Sequence, residues 1–242
     1  MTVTGTNASE FTSTSSCGTS RKPGWECNIT VKFTPTVTGV QTAAFNITDG
    51  AGTQTVQLIG GVNPLPTITT LTPGSVLTGS PGFTLTVDGT GFLTSSVVKW
   101  NGSPRTTTYV SPTELTATIN AADVAKAGTF KVTVTNPAPG GGTSVAVNFV
   151  VNNPAPTLIS MLPTSATHGG KAFTLTVTGT GYVSTSAIYW NTTKLATKYV
   201  SSTTLSATVP STDILTAGTA TVTVVTPAPG GGTSAPLTFT IK

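Results

Sequence analysis

Charge is scarce in this sequence. Eleven basic and seven acidic residues serve 242 positions, so 7% of the chain is charged, where ordinary globular proteins carry about a quarter. The basic residues are scattered, and no stretch gathers the Lys and Arg that a phosphate-tracking groove needs. The net charge of +4 therefore describes a weakly charged surface and argues against a nucleic-acid partner. Histidine occurs once, at His168, and cysteine twice. Zinc and triad chemistry need such residues in clusters, which this inventory does not supply. The carboxylates are Glu10, Glu26, Asp49, Asp88, Glu114, Asp123 and Asp213. A glycosidase needs two flanking one bond, and calcium sites at extracellular turns need several together; neither grouping is present. No apolar run reaches the 18 residues of a membrane-spanning helix, which argues against membrane insertion. The start, Met1-Thr-Val-Thr-Gly-Thr6, lacks the basic opening and apolar core of a signal peptide. Composition thus points to no catalytic residue, no metal and no cofactor, and to a protein that is not an enzyme.

What is abundant is threonine, 56 residues, with 26 glycines and 17 prolines. Threonine is β-branched and favours extended backbone, and its hydroxyl keeps an outward strand position polar without charge. Glycine and proline supply the turns between strands. An all-β protein follows.

The strands come in duplicate. Phe83-Thr-Leu-Thr-Val-Asp-Gly-Thr-Gly-Phe92 returns 90 residues later as Phe173-Thr-Leu-Thr-Val-Thr-Gly-Thr-Gly-Tyr182. Without a gap, 41 of 89 positions are identical between 64–152 and 154–242. A tandem unit of that length is a whole domain, longer than a solenoid repeat. Within each unit Phe83, Leu85 and Val87 share one strand face, and Val98 and Trp100 point inward. Asn101-Gly102 turns tightly, Tyr109-Val110 and Leu115 to Ile119 form strands, and Asp123 to Ala127 forms a helical turn. The carboxylates of Asp123 and Asp213 are expected to cap that turn. Val132 and Val134 lie on the penultimate strand, and Val145, Val147 and Phe149 on the last. Gly-Thr-Gly and Pro139-Gly-Gly-Gly142 lack the following helix and Lys-Ser/Thr of a phosphate loop, so both read as turn chemistry. His168, opposite Thr78 of the first unit, reads as a surface loop residue.

These residues, in the order Pro-x-Ile/Leu, Phe-Thr-Leu-Thr-Val-x-Gly-Thr-Gly-Phe/Tyr, Val/Ile-x-Trp-Asn, Leu-x-Ala-Thr, Ala-Gly-Thr, Val-Thr-Val and a closing apolar strand, resemble the IPT/TIG immunoglobulin-like domain. The resemblance implies a β-sandwich of roughly 90 residues per unit. The expected fold class is all-β, with tandem immunoglobulin-like β-sandwiches in a row. The expected domains are 64–151 and 154–242, joined by stiff Asn-Pro linkers at Asn63-Pro-Leu-Pro66 and Asn152-Asn-Pro-Ala-Pro156.

Residues 1–61 alternate as strands of their own. Ile29, Val31 and Phe33 share a face, as do Ala43, Phe45 and Ile47, and Asp49-Gly50-Ala51-Gly52 reads as a hairpin turn. Gly5-Thr-Asn-Ala-Ser-Glu-Phe11, Cys27-Asn-Ile-Thr-Val-Lys-Phe-Thr-Pro35 and Leu58-Ile-Gly-Gly61 resemble the second half of a choice-of-anchor D or ASPM-SPD-2-Hydin-like immunoglobulin-type domain. Such domains carry further strands upstream, so 1–61 is expected to be a partial domain, completed by the parent chain or by a neighbouring molecule through strand addition. Cys17 and Cys27 flank a turn-rich loop. Nine intervening residues is not the spacing of a redox pair, and a metal would need two more ligands. A disulfide closing the loop remains, and with it an oxidising, extracytoplasmic compartment.

Three aromatics are candidate interaction residues. Trp25 sits in the disulfide loop, and Tyr109 and Tyr199 could present rings to a glycan. Trp100 and Trp190 alternate with apolar neighbours and read as core. The expected function is a non-catalytic extracellular stalk, adhesive or filament segment of a bacterial surface protein. Its expected partners are immunoglobulin-like domains of the same or identical chains, including a homo-polymer built head to tail. The competing reading is a carbohydrate-binding or spacer module of a secreted polysaccharide-degrading enzyme.

Overall fold

The computed structural model describes residues 1–19 and 24–242; residues 20–23 of the loop between the two cysteines lie outside the description. Two compact units divide the chain. One comprises Met1–Thr70, Val87–Ala117 and Thr133–Ala146, and the other Leu71–Thr86, Thr118–Val132 and Val147–Lys242.

The chain opens with five strands, β1 (Thr2–Thr4), β2 (Phe11–Ser15), β3 (Ile29–Phe33), β4 (Gly39–Asp49) and β5 (Gly52–Val62). They form a three-stranded sheet, β1-β4-β5, and a two-stranded sheet, β2-β3. The hairpin between β4 and β5 turns at Gly50-Ala51, with Asp49 opposite Gly52. The alternation places Ala43 and Phe45 inward, 4% and 3% exposed. On the other layer Phe11 and Phe33 stand opposite each other, their rings 4.8 Å apart. Phe33 lies against Gly60 of β5, where a Cβ would come within 2.6 Å of the ring. The layers are thus closed on each other by aromatic contact. Glu10, just before β2, is buried and accepts the amide of Thr36 at 2.6 Å as well as its hydroxyl.

The first repeat contains β6 (Thr67–Thr72), β7 (Ser75–Leu77), β8 (Phe83–Thr90), β9 (Val97–Trp100), β10 (Ser103–Pro104), β11 (Thr107–Ser111), β12 (Glu114–Ile119), β13 (Gly128–Asn136), β14 (Gly142–Thr143) and β15 (Val147–Asn152). The second repeats them as β16 (Thr157–Leu162), β17 (Ser165–Ala166), β18 (Phe173–Thr180), β19 (Ala187–Trp190), β20 (Thr193–Lys194), β21 (Thr197–Ser201), β22 (Thr204–Val209), β23 (Gly218–Thr226), β24 (Gly232–Thr233) and β25 (Leu237–Ile241). In the second repeat one sheet runs β16-β18-β22-β21 and the other β17-β25-β23-β19-β20, with β24 beside β23. The first repeat has the same order, β11-β12-β8-β6 and β10-β9-β13-β15-β7. Neighbours are antiparallel except where the short β7 and β17 run parallel to the last strand of their repeat.

The core of the second repeat is built from alternate residues of facing strands. Leu175, Val177, Ile188, Leu205, Val209, Val222, Val224 and Phe239 are fully buried around Trp190. Phe173 stacks on Phe239, centroids 5.4 Å apart, and Trp190 tilts against the same ring at 4.9 Å. Trp100 is likewise 3% exposed, so both tryptophans are core. Asn101 and Asn191 take φ of +47° and +54°, the left-handed turn conformation that asparagine tolerates.

Two expectations need correction. Val145 is 88% exposed and precedes the last strand, which starts at Val147. Its alternation with Val147 continues past the strand's real start, because Ser144 takes both main-chain groups of Val134 and the ladder of the last strand begins only at Val132↔Val147. Asp123 does close a capping box, accepting the Asn120 amide at 3.1 Å. Asp213 does not, because Pro210 stands at the equivalent capping position and has no N–H to give.

Candidate functional site

The duplicated glycines answer to sterics. A Cβ on Gly179 would lie 1.9 Å from the Thr157 carbonyl oxygen and 2.3 Å from the Tyr182 hydroxyl. The Gly-Thr-Gly corner is therefore a place where strand, strand and aromatic ring meet without room for a side chain. The ring itself differs between repeats, Phe92 in the first and Tyr182 in the second. Tyr182 is 2% exposed, and its hydroxyl has no hydrogen-bond partner. Burial away from water pushes its pKa up to about 12.

The Pro-Gly-Gly-Gly loops perform a joint-making role. In the first repeat the Asn63 amide donates to Pro139 O at 2.8 Å, and the Gly141 amide returns to Asn63 O at 2.7 Å. The Asn63 side-chain amide donates to Pro137 O at 2.8 Å. The second repeat reproduces this on Asn153, with Pro229 O at 2.8 Å, the Gly231 amide at 2.9 Å and Pro227 O at 2.9 Å. Each repeat thus grips the asparagine of the linker that leads into it by three hydrogen bonds. Gly231, at φ +66°, makes the grip possible: a Cβ there would meet Thr226 O at 2.3 Å. Sequence reasoning placed the start of the repeat at Pro64 and missed this role. The signal was present, since Asn63 and Asn153 extend the 90-residue identity by one position.

The first joint has one more tie. Asn136 Nδ2 donates to Pro64 O at 2.8 Å and to Gly91 O at 2.7 Å, while Ser96 bonds its Oδ1. In the second repeat Thr226 stands in its place and bonds Ser186 at 2.7 Å. A threonine has no second donor to send to the linker.

Cys17 and Cys27 are joined as a disulfide with Cα atoms 5.0 Å apart. Trp25, within the bridged loop, is 66% exposed. Tyr109 is half-buried on β11, opposite Leu115. Tyr199 lies on β21, opposite Leu205, and is 38% exposed. It lines a groove of about 650 Å³ in the second unit, with Lys126, Ser184 and Thr185 beside it. Tyr109 and Trp25 do not line that groove, so the three candidate aromatics are not assembled into one site there. His168 is exposed, with Nδ1 2.9 Å from Lys242 O. Among the described residues no group of three or more His, Cys, Asp or Glu could hold a metal ion. No helix among them is long and apolar enough to cross a membrane.

Two packed sheets, with the second strand of each repeat running parallel beside its last, define immunoglobulin-like β-sandwich modules. The chain belongs to the IPT/TIG domain family, whose model matches residues 66–151 and again 156–241. The match does not extend into 1–61. No curated protein matches the chain. Among solved structures, the chain is similar to the Bacteroides ovatus mixed-linkage glucan utilization locus protein SGBP-B in complex with a mixed-linkage heptasaccharide, at 20% identity and TM-score 0.29, covering 85% of this chain and 54% of that one. It is also similar to the Yersinia pseudotuberculosis adhesin InvE, at 14% identity and TM-score 0.46, covering 73% of this chain and 58% of that one. A 1.5-MDa bacterial ice-binding adhesin matches at 15% identity and TM-score 0.29, covering 84% and 73%. The chain spans little more than half of the first two proteins, and likenesses this distant say nothing of ligand or partner.

Proposed function

We propose that this chain is a non-catalytic, extracellular structural segment of a bacterial surface protein. It comprises a partial domain, 1–61, and two complete modules, 64–151 and 154–242, and its work is to hold other parts at a fixed spacing. The partial domain is where head-to-tail assembly by strand complementation would take place. The observation that carries this reading is the duplicated asparagine grip, three hydrogen bonds at Asn63 and three at Asn153. A lock of two backbone bonds and one side-chain bond at each linker is what a spacer needs and a flexible tether lacks. The disulfide favours an oxidising compartment.

Small-angle scattering tests this reading. The wild-type chain should fit a single shape, and the double variant Asn153→Ala with Gly230→Ala, which removes the side-chain bond and sets a Cβ 2.4 Å from Asn153 O against the backbone bonds, should broaden the distribution of maximum dimensions while each module keeps its melting transition. An unchanged distribution in the double variant, or a broad one in the wild type, would remove the spacer reading.

A second reading rests on Tyr199. Its partly exposed ring, with the Ser184 and Thr185 hydroxyls and Lys126 in the same groove, offers the stacking face and polar contacts that sugars use. Titration calorimetry with soluble β-glucans would show heat lost on Tyr199→Ala; no heat in the wild type would dispose of the glycan reading.

A further inference from the structure

Charge is shared unevenly between the two compact units. The first holds five basic and five acidic side chains and is neutral. The second holds Lys126, Lys131, Lys171, Lys194, Lys198 and Lys242 against only Asp123 and Asp213, so it carries the whole net charge of +4. The repeats diverge in the same sense. Each has four basic residues, none at a shared position, while the acids fall from Asp88, Glu114 and Asp123 to Asp213 alone.

Two of the lysines line hollows within the second unit. Lys126 borders the groove of about 650 Å³ that Tyr199 also lines, and Lys194 borders a second hollow of about 400 Å³. Ser184 and Thr185 line both, so the two hollows meet at these hydroxyls. No carboxylate lines either one. Asp123, the acid nearest to Lys126 in sequence, accepts the Asn120 amide in its capping box. In the first repeat Pro104 stands where the second has Lys194, so the charge on the smaller hollow is peculiar to the second repeat.

This donor set favours one class of sugar over another. A neutral sugar offers hydroxyl protons, and carboxylate oxygens are their strongest acceptors. An ammonium has three donors and no acceptor, so two lysines without a carboxylate call for a ligand that carries its own negative charge. The partly exposed ring of Tyr199 supplies a stacking face for the apolar side of a sugar ring. Single-stranded nucleic acid fits less well, because its bases stack on successive rings, and Tyr182, the other ring at the groove, is 2% exposed.

We propose that the joined hollows bind an acidic polysaccharide, its sugar carboxylates meeting Lys126 and Lys194, a ring face meeting Tyr199, and sugar hydroxyls meeting Ser184 and Thr185. The proposal rests on the glycan reading of this groove and narrows its ligand class. It is independent of the linker grip.

Two probes test it by calorimetric titration of the full 242-residue chain. One is the β-1,4-linked glucose hexamer, and the other is the same hexamer with every C6 oxidised to a carboxylate. Skeleton and linkage are shared, so the comparison isolates charge. In low salt the oxidised hexamer should bind about tenfold more tightly, and this advantage should shrink as salt rises to about 0.5 M. The paired change Lys126→Gln and Lys194→Gln should bring the two affinities together. Lys171→Gln with Lys242→Gln, at positions that line neither hollow, should leave their ratio as it was. Tyr199→Ala should weaken both hexamers. A ratio that survives the Lys126 and Lys194 changes, one lowered equally by the control pair, or a hexathymidylate that binds as tightly as the oxidised hexamer would each overturn the proposal. Equal and Tyr199-dependent binding of the two hexamers would overturn the acidic class and leave the glycan reading standing, whereas heat from neither hexamer would remove both.

Discussion

Residues 1–61 and the second repeat each pack one sheet on another, yet among the described residues the first has five strands and the second ten. In the repeat, β22 is flanked on both sides and its inward residues are dry. In the N-terminal segment β3 has one neighbour among the described residues, β2, and Val31 stays partly in water. The repeat holds itself by area; the segment substitutes specific ties, a disulfide, a ring pair and a buried glutamate bonded to Thr36. A small double layer that cannot bury enough apolar surface needs such staples.

The difference can be broken most severely at the glycines. Gly179→Ala drives a Cβ into the Thr157 carbonyl, which as backbone cannot step aside, and should cost the second repeat on the order of 3 kcal/mol or more. Gly60→Ala meets the Phe33 ring instead, and a side chain can move. Exchange rates in β18 should rise steeply for the first variant, and those in β4 only modestly for the second. Equal losses would mean the two regions are held in the same way.

Next comes the bridge. Removing it with the paired change Cys17→Ser and Cys27→Ser should cost the N-terminal segment about 3 kcal/mol by loop entropy and leave both repeats unaltered. Differential scanning calorimetry, reading the segment and repeat transitions separately, distinguishes this from a global loss.

The finest contrast is between the repeats themselves. Tyr182 has a folded pKa near 12 against about 10 when unfolded. Below pH 10 both states keep the proton, and the contribution is complete. Between pH 10 and 12 the unfolded phenol ionises first, so the second repeat should lose roughly 1.4 kcal/mol per pH unit. Tyr182→Phe should remove that slope and, by deleting an unbonded buried hydroxyl, raise stability near neutral pH by about 1 kcal/mol. Urea unfolding across pH 7–12 measures both. The first repeat, with Phe92 there, serves as the control.

Much of this architecture is legible in the sequence because repetition exposes it. The Phe-Thr-Leu-Thr-Val alternation, the inward tryptophans and the cramped Gly-Thr-Gly corner all follow from residue pattern and steric size. The linker grip was harder to see, since Pro-Gly-Gly-Gly announces a turn without saying what the turn holds. Asn63 lies 74 residues from Pro137, the partner of its side chain, and nothing local links them. Asp213 misled because its counterpart Asp123 does cap, and the deciding change sits three residues earlier, at Pro210. The groove beside Tyr199 draws on residues from Thr78 to Ala228, a span that no motif connects.

The parallel pairing of β17 with β25 has a consequence under load. Where the strand near the start of a module and the strand at its end lie side by side and parallel, tension on the two ends pulls them past each other. Ser165↔Thr240 and Ala166↔Ile241 then resist together, in shear, where an antiparallel hairpin would unzip one bond at a time. The first repeat has three such positions, Ser75, Val76 and Leu77 against β15. Among the described residues β5 of the N-terminal segment has no parallel neighbour, so this shear latch belongs to the two repeats.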